Sequence, residues 1–296
     1  MAPESKHVVY CQLNKDYAYW TEKRRIGQMK GGHVAGLLSY LEQGQVKHNI
    51  LFDVGLGTLE ALADLCDDSF WDEPLTIFIT HGHIDHHAEL MILSEIYYKR
   101  RGAHIHDRRP PLEVYCTPAT QPHLERTHWY GYHGGESLRH RPLQPNQAVQ
   151  LENLTITPLA VDHFEGAVIY IIEFSLAQPH KIVIGWDMTT LPLEQTKRLQ
   201  NPSLAFFEGT TFTPMSQDTG HTSIEELVNT GFLAQMQLQY QPEEEKYGGY
   251  LVHYSGWEDP WGMLTDSQLK TRFDTTFPTL ADVIRVAERG QRWIFR

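Results

Sequence analysis

The chain has 296 residues, 41% hydrophobic and 21% charged, an ordinary globular balance with length enough for one large buried core. Its formal net charge of −12 argues against the basic face by which a protein tracks long nucleic acid, but leaves a small anionic substrate open, since bound divalent cations would reverse the local field. No run approaches the ~18 apolar residues of a membrane-spanning helix, and the opening Met-Ala-Pro-Glu-Ser-Lys-His lacks the apolar stretch of a signal peptide, which predicts a cytoplasmic protein with no membrane partner.

In chain order, residues 7–13 read as a first strand and the polar, glycine-containing stretch 14–36 as a loop or hairpin near a cleft. The apolar run 34–41 follows. A strand over 48–53 then ends on Asp53, with Gly55 and Gly57 turning the chain. Residues 58–66 suit a helix. Leu75 to Thr80 is a short apolar, β-branched strand, and from Ala88 to Tyr98 the apolar residues Leu90, Leu93, Ile96 and Tyr97 fall at helical spacing. Residues 100–147 are the least regular. Arginines 100, 101, 108, 109, 139 and 141 surround a short strand at Leu112–Cys116, and the stretch is expected to be an insertion or lid within a single domain spanning 1–296. From Val149 the pattern is strongly β, at 149–151, 154–162, 167–175 and 181–186. Helices are expected at 192–200 and 223–237, then a strand from Gly249 to His253. The loop after it carries Trp257 and Trp261, which suit either stacking on a base or core packing. The amphipathic stretch 279–289 places Leu280, Val283, Ile284 and Ala287 on one helical face. Cys11, Cys66 and Cys116 are far apart and read as small apolar residues in a reducing compartment.

The densest chemistry lies at residues 81–87, His-Gly-His-Ile-Asp-His-His. His81, His83, Asp85 and His86 supply four candidate metal ligands within six positions, on a loop at the carboxyl end of a buried strand. One loop cannot aim all its donors at a single ion, so further ligands must come from other strand ends. Three places have a donor just after a short apolar strand: Asp162-His163, Asp187 and His253. Imidazole and carboxylate donors suit zinc first, with manganese or iron as alternatives.

The pattern His-x-His-x-Asp-His resembles the signature of the metallo-β-lactamase superfamily. That resemblance implies an α/β fold, a four-layer αβ/βα sandwich of two mixed β-sheets flanked by helices, with divalent metals in a cleft at the sheet edges. It also implies that His81, His83 and His163 hold one metal, that Asp85, His86 and His253 hold a second, and that Asp187 bridges them. Two such ions would share an activated hydroxide, which Asp85 could orient or deprotonate. Asp162 would then support from behind, and Asp53, ahead of Gly55-Leu-Gly57, would brace the ligand loop without touching metal.

Residues 208–223 narrow the chemistry. Glu208-Gly-Thr-Thr-Phe212, Gly220-His-Thr-Ser223 and Val252-His-Tyr-Ser255 resemble the phosphodiesterase branch of the superfamily, which includes ribonuclease Z. By that resemblance His221 is a general acid and Glu208 orients it; Ser223 or Thr222 would cap the following helix. His163 and Asp187 are only 24 positions apart, too few for the tRNA-gripping arm of ribonuclease Z. The expected activity is therefore hydrolysis of a small or cyclic phosphodiester, such as a cyclic nucleotide. The alternatives are a ribonuclease Z-type tRNA 3′ endonuclease, a lactonase or thioesterase of the same fold, and a non-catalytic nucleotide sensor. The branch's frequent dimers imply a homodimer.

Overall fold

The computed structural model describes residues 7–15, 34–100, 110–189, 191, 193–215, 220–256, 258, 264–288 and 290–295. The first half holds β1 (His7–Lys15), β2 (Val34–Glu42), β3 (Gln45–Phe52), α1 (Thr58–Leu65), β4 (Leu75–Phe78), α2 (Leu90–Arg100), β5 (Leu112–Cys116), α3 (Gln121–Thr127) and β6 (Leu138–Pro142). The second holds β7 (Val149–Leu151), β8 (Leu154–Ala160), β9 (Val168–Ser175), β10 (Pro179–Gly185), α4 (Leu193–Arg198), β11 (Leu204–Glu208), α5 (Ile224–Asn229), α6 (Phe232–Gln235), β12 (Tyr240–Gln241), β13 (Lys246–Val252), α7 (Asp266–Thr276), β14 (Ile284–Val286) and β15 (Arg292–Phe295).

Among the described residues one mixed sheet runs β15-β1-β2-β3-β4-β5-β6 and the other β12-β13-β11-β10-β9-β8-β7, with β14 also paired to β13. The faces between the sheets meet in a core that includes Phe52, Phe78, Tyr170, Trp186, Phe206, Trp293 and Phe295. Outside the first sheet, Leu62, Leu93, Tyr97 and Leu124 carry helices α1, α2 and α3 onto Leu51, Ile77 and Val114. Outside the second, Leu227, Leu233, Leu269 and Phe273 bring α5, α6 and α7 onto Val183, Ala205 and Leu251. Each sheet is apolar on both faces, so each needs a helical layer outside as well as the partner sheet inside. The result is the expected four-layer αβ/βα sandwich.

This topology gathers loops at one end. β3, β4 and β5 are parallel, as are β10, β11 and β13. β8 runs in the same direction as β10 because β9 lies antiparallel between them. The carboxyl ends of both sheets therefore present Asp53, the 79–87 loop, His163, Asp187, Glu208 and His253 together. The two sheets are tied there: the Tyr170 hydroxyl donates to the Ile79 carbonyl at 2.7 Å, and the Val168 amide to the Thr80 carbonyl at 3.0 Å.

Several expectations change. Residues 112–116 and 138–142, placed in an insertion by the sequence reading, are β5 and β6, parallel members of the first sheet. Of the stretch 279–289, the described residues 279–288 are not a helix: a turn leads into β14, which pairs parallel with β13, although Ile284 and Ala287 are buried as expected. The helix expected at 223–237 is two, divided by Gly231 at φ 73°. No helix of the described residues is long and apolar enough to cross a membrane.

Candidate metal centre

β4 ends at Phe78, and its next residues enter a short 3₁₀ turn at Ile84–His86. The loop from His81 through that turn aims four side chains, His81, His83, Asp85 and His86, into one space. His81 Nε2 lies 2.9 Å from His83 Nδ1, and His163 Nε2 lies 3.2 Å from each. Donors about 2.0–2.1 Å from a tetrahedral zinc are separated by about 3.4 Å, so this triangle has the span of three ligands on one ion.

A second group forms beside it. Asp85 Oδ2 lies 3.5 Å from both His86 Nε2 and His253 Nε2. Asp187 stands between the groups. Its Oδ2 is 3.3 Å from His81 Nε2, 3.7 Å from His163 Nε2 and 2.7 Å from His86 Nε2, while Oδ1 is 3.4 Å from His253 Nε2. Among the described residues, His86 Nε2, His253 Nε2 and both Asp187 oxygens are buried without a partner at hydrogen-bonding geometry. Buried polar atoms without partners are costly, and a cation among them would satisfy all four. The donor set and its spacing fit divalent metal.

Partners behind the rings fix which nitrogen faces inward. Asp53 accepts at Oδ2 from His86 Nδ1 at 2.8 Å, so Nε2 is the inward atom. The same carboxylate accepts from the Thr80 amide, the Thr80 hydroxyl and Trp186 Nε1, at 2.8, 2.7 and 2.7 Å. With its proton on Asp53, the Thr80 hydroxyl is an acceptor for His81 Nδ1 at 3.0 Å. His163 Nδ1 donates to the Gly220 carbonyl at 2.5 Å. His253 Nδ1 is 3.0 Å from Thr210 Oγ1, which donates to Glu208 Oε1 at 2.6 Å. Asp53 thus braces the loop from behind, as its position before the glycine turn suggested.

Electrostatics follow the same plan. Burial, then the nearby rings, hold His81 well below the ordinary histidine value; burial brings His83 down to about 4 and lowers His163. Neutral imidazoles are the form that binds metal. His86 and His253 behave otherwise. Burial would lower both, but Asp187, with Asp53 for His86 and Asp85 for His253, outweighs it and raises them. Asp85 and Asp187 are held well below the carboxylate range by the histidines around them, against the opposing pull of burial. The second group therefore concentrates negative charge that calls for a cation.

His221 sits at the edge of this centre, its ring 4.5 Å from that of His163 and 5.7 Å from that of His253. Its Nδ1 meets Glu208 Oε1 in a short contact. Glu208 is fully buried, and its other oxygen accepts from the Met188 amide at 2.6 Å. Burial, then Asp187, push Glu208 well up; burial holds His221 down to about 4. After Gly220, Ser223 rather than Thr222 caps α5, in a reciprocal pair with Glu226.

A family model for the β-lactamase superfamily domain matches residues 48–238. The chain belongs to the β-lactamase superfamily. Solved structures of this superfamily's fold overlay nearly its whole length. A diphosphatase from the PhnP family is 15% identical with TM-score 0.65, each chain 97% covered. The Zn²⁺-bound PqqB of Methylobacterium extorquens is 13% identical with TM-score 0.65, covering 97% of this chain and 99% of that one. Unliganded yeast PDE1 is 15% identical with TM-score 0.61, covering 97% and 100%. At these identities the likeness is one of fold. No curated protein matches the sequence.

Within this superfamily chain, the seven expected ligands, His81, His83, Asp85, His86, His163, Asp187 and His253, come together in the cleft with Glu208 and His221 beside them. Asp162 is exposed, and among the described residues no hydrogen bond joins its carboxylate to the centre; its carbonyl accepts from the Thr189 amide. Trp257 and Trp261 lie outside the described residues. The sequence reading missed Thr80, Thr210 and the Gly220 carbonyl. Each of these threonines stands two residues past the end of a buried strand, Thr80 after β4 and Thr210 after β11, which was the available signal. The role of Gly220 depends on its φ of +73°, which aims its carbonyl at His163.

Proposed function

We propose that the protein is a metal-dependent phosphodiesterase that hydrolyses a small or cyclic phosphodiester, a cyclic nucleotide among the candidates. His81, His83 and His163 would hold one divalent cation, and Asp85, His86 and His253 a second, with Asp187 between them. Zinc is the first choice, by donor chemistry. Bound there, the cations supply Lewis acidity that draws charge from a phosphoryl oxygen and sharpens a water as nucleophile.

The Glu208–His221 pair beside Asp187 and His253 carries this reading. Glu208, pushed up by burial, would hold the proton it shares with His221 Nδ1, which leaves the neutral ring's hydrogen on Nε2; as the P–O bond breaks, Nε2 would give that hydrogen to the departing ester oxygen while Nδ1 takes the Glu208 proton. Glu208, held by Thr210 and Met188, fixes the ring's angle. Asp85 is the most solvent-reached of the acidic groups here, its side chain 25% exposed, and suits orienting the incoming water. A lactonase or thioesterase would leave the His221 pair without a task. The segment from His163 to Asp187 holds only the β9–β10 hairpin, with residues 176–178 as its turn, which disfavours a tRNA-gripping role.

The test is a substrate panel in zinc or manganese. Bis-p-nitrophenyl phosphate and at least one cyclic nucleotide should be cleaved. Lactone or thioester turnover with no phosphodiester turnover would overturn the reading, and 3′ trimming of precursor tRNA at physiological salt would move it to ribonuclease Z.

A further inference from the structure

One wall of the cleft comes from a helix outside the metal centre. Gly82, between His81 and His83, has no room for a side chain: an added Cβ would lie 2.8 Å from His123 Cγ of α3. His123 packs edge-on against Phe164, ring centroids 5.0 Å apart, and Phe164 in turn lies 4.4 Å from the His83 ring. Phe164 directly follows His163 and is only half-buried. Beyond His123 stands Arg126, exposed, its Nη2 donating to His123 Nδ1 at 3.0 Å and its Nε to the Pro122 carbonyl at 3.2 Å. Among the described residues no acidic side chain forms an ion pair with it. In a chain of net charge −12 such a cation beside a cleft stands out.

We propose that Phe164, His123 and Arg126 form a substrate subsite, in which Phe164 takes a nucleobase next to the reacting phosphate and Arg126 binds a further anionic group beyond it. The inference rests on the phosphodiesterase reading and narrows its substrate to a nucleotide diester carrying an additional phosphate. The order of the groups supports it. Phe164 touches the ring of a proposed ligand, one ring's width from the reacting atoms, while Arg126 lies one residue further out. An aromatic face tolerates any base. A guanidinium fixed by two hydrogen bonds loses little freedom on meeting phosphate, and its fork suits two phosphate oxygens. His123 holds the two parts in line and is a positioning residue.

The test uses a matched pair, the p-nitrophenyl ester of thymidine 5′-phosphate and the same ester with a 3′-phosphate, beside bis-p-nitrophenyl phosphate as reference. Wild type should show a KM for the 3′-phosphorylated ester lower by about tenfold, the order expected of one charge-assisted contact. Arg126→Ala should bring that ratio to about one, and Arg126→Lys should keep part of it. Phe164→Ala should raise KM for both thymidine esters relative to the reference, and Phe164→Tyr should restore it. Arg126 is exposed, so its variants test binding and not folding; circular dichroism checks this. If wild type cleaves the reference but does not distinguish the pair, or Arg126→Ala leaves the ratio in place, the subsite is refuted alone. If wild type cleaves no phosphodiester, the functional reading falls with it.

Discussion

Asp53 and His86 are 33 positions apart in sequence, yet Asp53 Oδ2 accepts from His86 Nδ1 at 2.8 Å where neither residue is exposed. The same carboxylate takes protons from the first sheet through Thr80 and from the second through Trp186. Removing it strands several buried donors at once. Asp53→Ala should destabilise the protein by about 3–5 kcal/mol, the cost of breaking a buried charged network. It should also weaken metal binding by about 10–100-fold, since His86 loses the partner that aims Nε2. Chemical denaturation with and without chelator, plus metal titration, reads both. Metal affinity equal to wild type would contradict the bracing role.

Asp187 is the group that approaches both histidine clusters. Its loss should therefore affect the whole centre, while the loss of a ligand from one cluster should spare the other. Elemental analysis after dialysis should find Asp187→Ala nearly empty, and His83→Ala and His253→Ala each with about one metal per chain, against two in wild type. Equal loss in all three variants would mean one indivisible site. Chelation should also lower thermal stability, because metal binds the folded form only; occupancy at 100 times the dissociation constant contributes about 2.7 kcal/mol.

The donors were legible because each follows a short apolar strand, where a polar side chain must face the sheet's open end. Asp53 was legible for the same reason. Other features lacked such a local mark. α7 buries only Leu269 and Phe273, too few for a visible stripe; its signal was the Thr265–Gln268 cap. β14 deceived by spacing, since Leu280, Val283, Ile284 and Ala287 fit a helical face, yet Gly249 of β13 pairs with Ile284 and fixes the segment as strand. β15 alternates correctly, with Trp293 and Phe295 buried, but a four-residue strand is easily passed over. β5 was read as a strand but taken for part of an insertion, and β6 hid in the same arginine-rich stretch because Leu-Arg-His-Arg-Pro buries only Leu138. The wall from Phe164 to Arg126 could not be read at all, since it joins α3 to the loop after β8 through packing alone.

If His221 protonates the leaving oxygen, its importance depends on the leaving group. His221→Ala should lower kcat by about 10²–10⁴-fold for an alkoxide leaving group, the usual contribution of general acid catalysis. The loss should shrink sharply for p-nitrophenolate, which departs without a proton. Metal content should match wild type, as Glu208 and Thr210 still hold His253. Glu208→Gln should follow the same leaving-group trend with a smaller loss. An identical loss on both leaving groups would assign His221 to binding and remove it from proton transfer.

A pair of buried rings beneath the ligand loop should give the fold an acid-sensitive point. His87 Nδ1 lies 2.9 Å from His128 Nε2, and His87 Nε2 lies 3.3 Å from the Gly82 carbonyl. Burial, with the neighbouring His87 ring, brings His128 down to about 4 from the ordinary 6.5. Between those values the unfolded chain binds a proton that the folded one refuses, so stability rises with pH there. The contribution is complete above about pH 6.5 and is lost as pH falls toward 4, amounting to at most about 3 kcal/mol for this side chain. His128→Gln keeps a hydrogen-bonding group against His87 but does not titrate. Urea denaturation from pH 4.5 to 7.5, with chelator present in every sample, should give a flatter stability profile for His128→Gln than for wild type. Parallel profiles would show that the proton uptake driving acid unfolding occurs elsewhere, among the histidines of the centre.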